Sequence, residues 1–261
     1  GLSYYVKNGY VADDRTNESV ARTLEFALSD YCIAQMAKAL GKTTDYEDLM
    51  RRAKNYRYLY NPKTKLFQAR NADGCWAGEH SGFTEGANWT YQFCVMQDVQ
   101  GLIDLMGGNE SFAAALDNVF DNGHYRHDNE PGHHYVYLYN YCGRFDKAQE
   151  RIPEILDTHY RNGADGLSGN DDCGQMSAWY LFSSLGFYPV TPASGEYALG
   201  IPRFPSARVE LPHGKVLTVR AEGLKEHKHL PVILFNGKKL DAPFIAIRDL
   251  MKGGVLEFKA E

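Results

Sequence analysis

Between Glu18 and Leu40 the chain reads ESVARTLEFALSDYCIAQMAKAL, with apolar residues at positions 20, 24, 27, 28, 31, 34 and 37. Steps of three and four residues put these on one helical face, and Gly41 follows as a stop signal. Asp45–Tyr60 (DYEDLMRRAKNYRYLY) repeats the pattern and ends at Asn61-Pro62. Further helical patterns cover 86–106, 110–121, 133–143, 146–161 and 175–186. Loops rich in Gly, Asn, Pro and His join them, notably 122–132 (NGHYRHDNEPG) and 162–174. About seven helices linked by loops of alternating length predict stacked antiparallel helical hairpins. Beyond Pro202 the period changes. ARVEL, KVLTVRA and PVILF alternate or run β-branched, separated by the turn signals PHG, NGK and KGG. The predicted fold is therefore mainly α over 1–202, followed by a small antiparallel β module over 203–261, with the boundary near 195–205.

Composition narrows the partners. A net charge of −5 with no basic arm or patch gives nucleic acid no footing. No apolar run approaches the length of a membrane span, and the start has no signal-like apolar core. The abrupt opening GLSYYVKNGYVADD reads as a piece of something larger. Five cysteines, scattered and without CxxC spacing, indicate neither a zinc site nor a dense disulfide framework and are read as mostly buried thiols. The aromatic content is high, with 18 Tyr, 13 Phe and 3 Trp. Core packing accounts for most of it, while stacking on sugar rings is the functional alternative.

Candidate chemistry is concentrated in three loop segments: HSGFTEGANWTYQF (80–93), HDNEPGHHYVYLYNY (127–141) and LSGNDDCGQMSAWY (167–180). Carboxylates, amides and imidazoles stand there beside aromatics, next to predicted helix starts. A bland reading exists for each. Asp171 or Asp172 can cap a helix, Thr84 and Glu85 can be cap chemistry, and His133-His134 can be hydrogen-bonded core residues. A single cap needs one carboxylate, however, not Asn170-Asp171-Asp172 between glycines, and Gly169 and Gly174 permit close approach of backbone to a ligand. Two carboxylates facing a cleft with aromatic walls match glycoside hydrolysis, one protonating the leaving sugar and the other activating water.

The stretch GNDDCGQMSAWYLFSSLGFYPVTPASGEYALGIPRFP closely resembles the C-terminal region of family 92 glycoside hydrolases, the calcium-dependent exo-acting α-mannosidases. FTEGANW, MQDVQGLIDLMGG, NEPGHHYVYLYNY, RNADG and LEFALSDYCIAQMAKALGK extend the resemblance over nearly the whole chain. It implies the later helices of an (α/α)6 barrel followed by a β segment, with the family's N-terminal β-sandwich and first barrel helices lying outside this sequence. It also implies an inverting exo-α-mannosidase acting on α-1,2-linked mannose in N-glycans or mannans, secreted, periplasmic or displayed on a bacterial surface. By matching motif, Glu85 corresponds to the general acid and Asp172, or else Asp171, to the general base. Asn129 and Glu130 correspond to the sugar pocket, with His133, His134, Trp89 and Asn170 assigned to substrate binding. Ca2+ is the implied cofactor, with Glu130 and Asp171 as its expected ligands by their hard oxygens. The partners implied are a mannose-containing oligosaccharide and the sandwich region or another chain. The chain departs from the family pattern at TEGANWTY, at Met96-Gln97-Asp98 and at Asn129 before Glu130, and Gln97 and Asn129 are the departures that bear on linkage. Two other classes remain open: a carbohydrate-binding or structural fragment without activity, and a different (α/α)-barrel hydrolase or phosphorylase.

Overall fold

The computed structural model describes residues 1–260 and opens on α1 (Leu2–Asn8), which stops on the left-handed Gly9 (φ 86°). It leads to α2 (Ser19–Ala39) and α3 (Thr43–Arg52). On α2 the predicted face holds, with Val20, Leu24, Ala27, Ala34 and Ala37 buried. A buried ionic knot ties the three helices together. Asp30, 6% exposed, accepts hydrogen bonds from the Tyr5 hydroxyl (2.8 Å) and from Arg52 Nε and Nη2 (3.0 and 2.7 Å). Burial, then Asp30, pushes the Tyr5 phenol up, so it stays a donor.

The predicted helix 45–60 breaks after Arg52, and Asn55–Leu59 winds as a 3-10 turn that buries Asn55, Tyr56 and Leu59. Its aromatic and Asn content favours helix weakly, so burial decides its course. A two-residue hairpin follows, β1 (Tyr60–Asn61) with β2 (Leu66–Phe67). The predicted helix 86–106 is also interrupted, into α4 (Asn88–Tyr91), a 3-10 turn at Met96–Asp98, and α5 (Val99–Leu105). Asp98 supplies the reason: its side chain accepts from Gly101 N, starting a new helix, and from the Tyr56 hydroxyl. α6 (Asn109–Asp121) completes this region. Contacts group residues 1–125 with 192–194 as one compact unit.

The second unit comprises 126–191 and the chain from 195 on, so the change of texture at 202 falls inside it. Tyr135–Cys142 is a 3-10 helix with Tyr135, Tyr137 and Tyr139 each no more than 1% exposed. α7 (Phe145–His159) and α8 (Gln175–Leu185) follow, α8 stopping at the left-handed Gly186 (φ 87°). The strands are β3 (Phe187–Tyr188), β4 (Glu196–Leu199), β5 (Ser206–Glu210), β6 (Val216–Ala221), β7 (Val232–Phe235), β8 (Lys238–Lys239), β9 (Phe244–Ala246) and β10 (Gly254–Lys259), with the short α9 (Ile247–Leu250) before the last. Two corrections to the predicted β module result. β4 pairs with β3 on one side and β9 on the other in a three-stranded antiparallel sheet, so strands before 203 take part. The five-stranded sheet, ordered β5-β6-β10-β7-β8, is mixed, because β10 runs parallel to β6. Local turns dictate only hairpin neighbours; β10 reaches β6 by a long return that no turn signal announces. Gln149 of α7, 1% exposed, ties the sheets to the helices by donating to the carbonyls of Gly200 and Leu230 (both 3.1 Å) and accepting from Leu230 N (2.9 Å).

The core reading of the aromatics holds for the largest side chains, since Trp179, Tyr5, Tyr56, Tyr135, Tyr137 and Tyr139 are fully buried. The reading of the thiols does not: Cys142 is buried, Cys75 and Cys173 are exposed, and no disulfide forms among the described residues. No described helix is long and apolar enough to cross a membrane.

Candidate active site

Glu85 lies on a loop stapled to the start of α2. The α2 amides of Val20 and Ala21 donate to the Gly82 carbonyl (2.9 and 3.1 Å). Asp13 receives the hydroxyls of Ser19 (2.7 Å) and Ser81 (2.5 Å), one from each segment. Glu18 receives the Thr84 hydroxyl (3.0 Å) and Arg22 (2.9 Å), and these two hydrogen bonds hold its carboxyl below the usual range. The Tyr91 hydroxyl donates to the Thr84 carbonyl (2.8 Å). Held on both sides, Glu85 is exposed and adopts left-handed backbone (φ 51°). That conformation costs on the order of 1 kcal/mol or more for a residue with a Cβ and persists where surroundings enforce it, typically at functional positions. Trp89 stands on the following turn, stacked on His124 with ring centroids 4.4 Å apart and planes 5° from parallel.

In the second unit the loops carrying Asn129-Glu130 and Asn170-Asp172 are pressed together. Gly169 rests on the backbone of Asp128, where a Cβ would lie 2.8 Å from the Asp128 Cα and carbonyl carbon. The expected close approach at Gly169 is therefore to protein, not to a ligand. Asp172, Cys173 and Gly174 are successively left-handed (φ 37°, 60° and 82°), a turn that reverses the chain immediately before α8. The two aspartates have separate duties. Asp171, three residues before the N-cap Gly174, reaches the first turn of α8: its carboxylate accepts from Ser177 N and Ser177 Oγ (both 2.8 Å), which holds its carboxyl below the usual range. Asp172 is exposed, and its carboxylate takes no hydrogen bond or ion pair from the described residues. The carboxylate of Glu130 and the amide of Asn170 are likewise without protein partners. Asn129 Oδ1 accepts from Glu130 N (3.2 Å) and opens the short turn Glu130–Gly132. A groove of about 760 Å3 beside the cap is lined by Tyr160, Arg161, Ser177, Tyr180 and Arg203, among others.

His133 and His134 are core, contrary to their expected role against substrate: they are 1% and 4% exposed. His133 Nε2 donates to the His127 carbonyl (3.1 Å), which fixes the tautomer and leaves Nδ1 to accept from Gln175 Nε2 (3.3 Å). Trp179 Nε1 donates to the His133 carbonyl (2.8 Å), and Gln175 Nε2 also donates to the Tyr188 hydroxyl (3.0 Å). The Tyr160 hydroxyl donates to the Met176 carbonyl (3.0 Å), so His127 Nε2 donates to Tyr160 (2.7 Å). Burial, reinforced by His133 and His159, drives the His127 imidazole down to about 2. Burial also lowers His133 and His159, so the cluster is neutral. Reading motifs one segment at a time passes over Gln175, His127, Tyr160, Asp13 and Glu18. Only the position of Gln175, directly after the glycine that ends the GNDDCG turn, hints at its part.

The expected calcium ligands do not fit as a site. Both oxygens of Asp171 are committed to Ser177, leaving Glu130 as the single available carboxylate of the expected pair. Among the described residues no three His, Cys, Asp or Glu side chains converge to hold an ion.

Comparison with known proteins agrees with the motifs. The model of the glycosyl hydrolase family 92 catalytic domain matches residues 1–261. An uncharacterized secreted glycosidase of Arthroderma benhamiae is 28% identical over 95% of this chain, which spans 36% of that protein. The solved structure of a family 92 α-mannosidase of Bacteroides thetaiotaomicron is 41% identical over 99% of this chain and 36% of its own, with a TM-score of 0.94. A family 92 inverting mannosidase of the same bacterium is 35% identical over 99% of this chain and 39% of its own, with a TM-score of 0.92. The chain thus spans little more than a third of these relatives, and with its motifs, its fold and a family match along its whole length, it belongs to glycoside hydrolase family 92.

Proposed function

We propose that this chain carries the acid and the base of an inverting exo-α-mannosidase, with Glu85 as general acid and Asp172 as general base. The observation that carries the assignment is the division of labour in the aspartate pair. Asp171 is consumed by the first turn of α8, whereas Asp172 is presented on a strained left-handed turn with nothing to neutralise it. An ionised carboxylate in that position can take a proton from water as the water attacks the anomeric carbon, while the Glu85 carboxylic acid protonates the departing oxygen. Inversion asks that these two groups stand about 6.5–9.5 Å apart, so that a water fits between base and sugar. Asn129, Glu130 and Asn170 supply acceptors and donors for mannose hydroxyls beside the base. The likeness to mannosidases, one of them solved in complex with mannoimidazole, supports a mannose-containing substrate. In the same reading the helices belong to an (α/α)6 barrel, the linkage is α-1,2 within N-glycans or mannans, and the protein works outside the cell, as the curated relative described as secreted does. A Ca2+ requirement is proposed for the intact enzyme only; no step here uses the ion.

A sugar must be gripped to within a fraction of an ångström for this chemistry. The chain alone is therefore expected to show no turnover, and Ile33 and Met36, exposed on α2, with Leu40 just past its end, form a surface for the remainder of the enzyme or another chain. The deciding experiment is substitution in the intact enzyme with α-mannobiose and calcium. Glu85→Gln and Asp172→Asn should each lower kcat by about 10²–10⁴-fold, and NMR should show β-mannose as the first product. Wild-type turnover by Asp172→Asn would refute the assignment of the base.

A further inference from the structure

We propose that Gln175 and His133 are positioning residues that clamp the Asp172 turn to the loop bearing Glu130, with His133 as the shared strut. This rests on the reading of Asp172 as base.

The argument starts from the backbone of Gln175, the first residue of α8. Its N–H donates to the carbonyls of Asp171 (2.7 Å) and Asp172 (3.2 Å), so it spans the base of the left-handed turn. Its side chain runs inward and donates to His133 Nδ1 (3.3 Å) and to the Tyr188 hydroxyl (3.0 Å). His133 stands three residues after Glu130, and its own N–H donates to the Glu130 carbonyl (3.1 Å). Its Nε2 donates to the His127 carbonyl (3.1 Å), on the approach to the same loop. One imidazole thus accepts from the segment that carries Asp172 and donates to the segment that carries Glu130. Trp179 Nε1 on the His133 carbonyl (2.8 Å) fixes the strut from the next turn of α8. The Gly169 contact with Asp128 closes the other end of the two loops. Both loops end in carboxylates that the protein itself leaves unpartnered, so their mutual placement depends on these few bonds. A left-handed Asp and a left-handed Cys in sequence do not hold themselves; the strain must be balanced by surrounding structure. The two imidazole nitrogens of His133 and the amide nitrogen of Gln175 are all engaged within the fold.

The test is amide hydrogen exchange on the 261-residue chain, read at Gln175 and Ser177, whose N–H groups report the turn and its cap. Gln175→Met keeps the length of the side chain and removes the donor. It should speed exchange at both amides by about five- to tenfold, the effect of losing one hydrogen bond worth about 1 kcal/mol, with amides in α7 unchanged. His133→Asn preserves an acceptor near Nδ1 and should hold exchange near the wild-type rate. His133→Gln, which preserves only the Nε2 side, should match Gln175→Met. This rescue by geometry separates positioning from bulk stability, which both histidine variants reduce. Unchanged exchange at Gln175 and Ser177 in a folded Gln175→Met would overturn the clamp, as would equal exchange in the two histidine variants. Asp172→Asn should leave exchange as it is. If that substitution also left the intact enzyme active, the base would be misassigned while the clamp stood.

Discussion

Gly169→Ala perturbs the candidate site without touching a polar group. The added methyl would lie 2.8 Å from the Cα and carbonyl carbon of Asp128, and nearer still to its oxygen. Carbon atoms in comfortable contact stand about 3.5–4.0 Å apart, so the two loops must separate by roughly an ångström. Backbone offers no flexible side-chain end to swing away. Overpacking of this kind costs about 1–3 kcal/mol, measurable as a lower urea midpoint with unchanged slope. The catalytic cost is expected to be larger than the stability cost, because a 1 Å misplacement of reacting groups is worth about 10²-fold. Assayed on an α-mannoside in the intact enzyme, Gly169→Ala should lose about that factor mainly in kcat, with every carboxylate still present. Wild-type turnover and stability together would refute the claim that the two loops are locked to each other at this glycine.

Other outcomes follow from the buried polar groups. Asp30→Ala leaves the Tyr5 hydroxyl only the Arg52 carbonyl and takes both hydrogen bonds from the part-buried Arg52 guanidinium, and should cost about 1.5–3 kcal/mol by urea denaturation; a loss below about 0.5 kcal/mol would contradict the knot. His127, held down to about 2 by burial, refuses in the folded state the proton that the unfolded chain accepts near pH 6.5. Its contribution is complete above that pH and is lost as pH falls through 6.5 toward 2. One such histidine gives about 1.4 kcal/mol per pH unit, and His133 and His159 act in the same direction. Unfolding free energies at pH 7 and pH 5 bracket a window above the ordinary carboxylate range, and equal values would refute a neutral cluster.

The parts of this protein legible in its sequence are those set by local rules. The α2 face, α6, α7 and α8 lie where apolar spacing puts them, because each buries one stripe and is closed by a local stop such as Gly186. Helices 45–60 and 86–106 break where distant partners intervene, Asp98 being claimed by Tyr56 across forty-two residues of chain. The parallel pairing of β10 with β6 is illegible for the same reason. Within the site, the motif GNDDCGQ shows that carboxylates gather but not how they divide the work. Capping consumes an aspartate only if its side chain points back along the helix axis. The sign of φ at the next three residues decides which of the pair does so, and composition cannot report that sign. With Asp171 turned to Ser177, Asp172 is left exposed, and the glycine at 174 allows the reversal to finish without a Cβ. The adjacency of two like charges, costly in a helix interior, is tolerated here because Asp171 has its charge met by the first turn of α8 and Asp172 has its own in water. A base needs that second condition, an ionised oxygen with room for a water molecule, and the cap is what leaves it to Asp172.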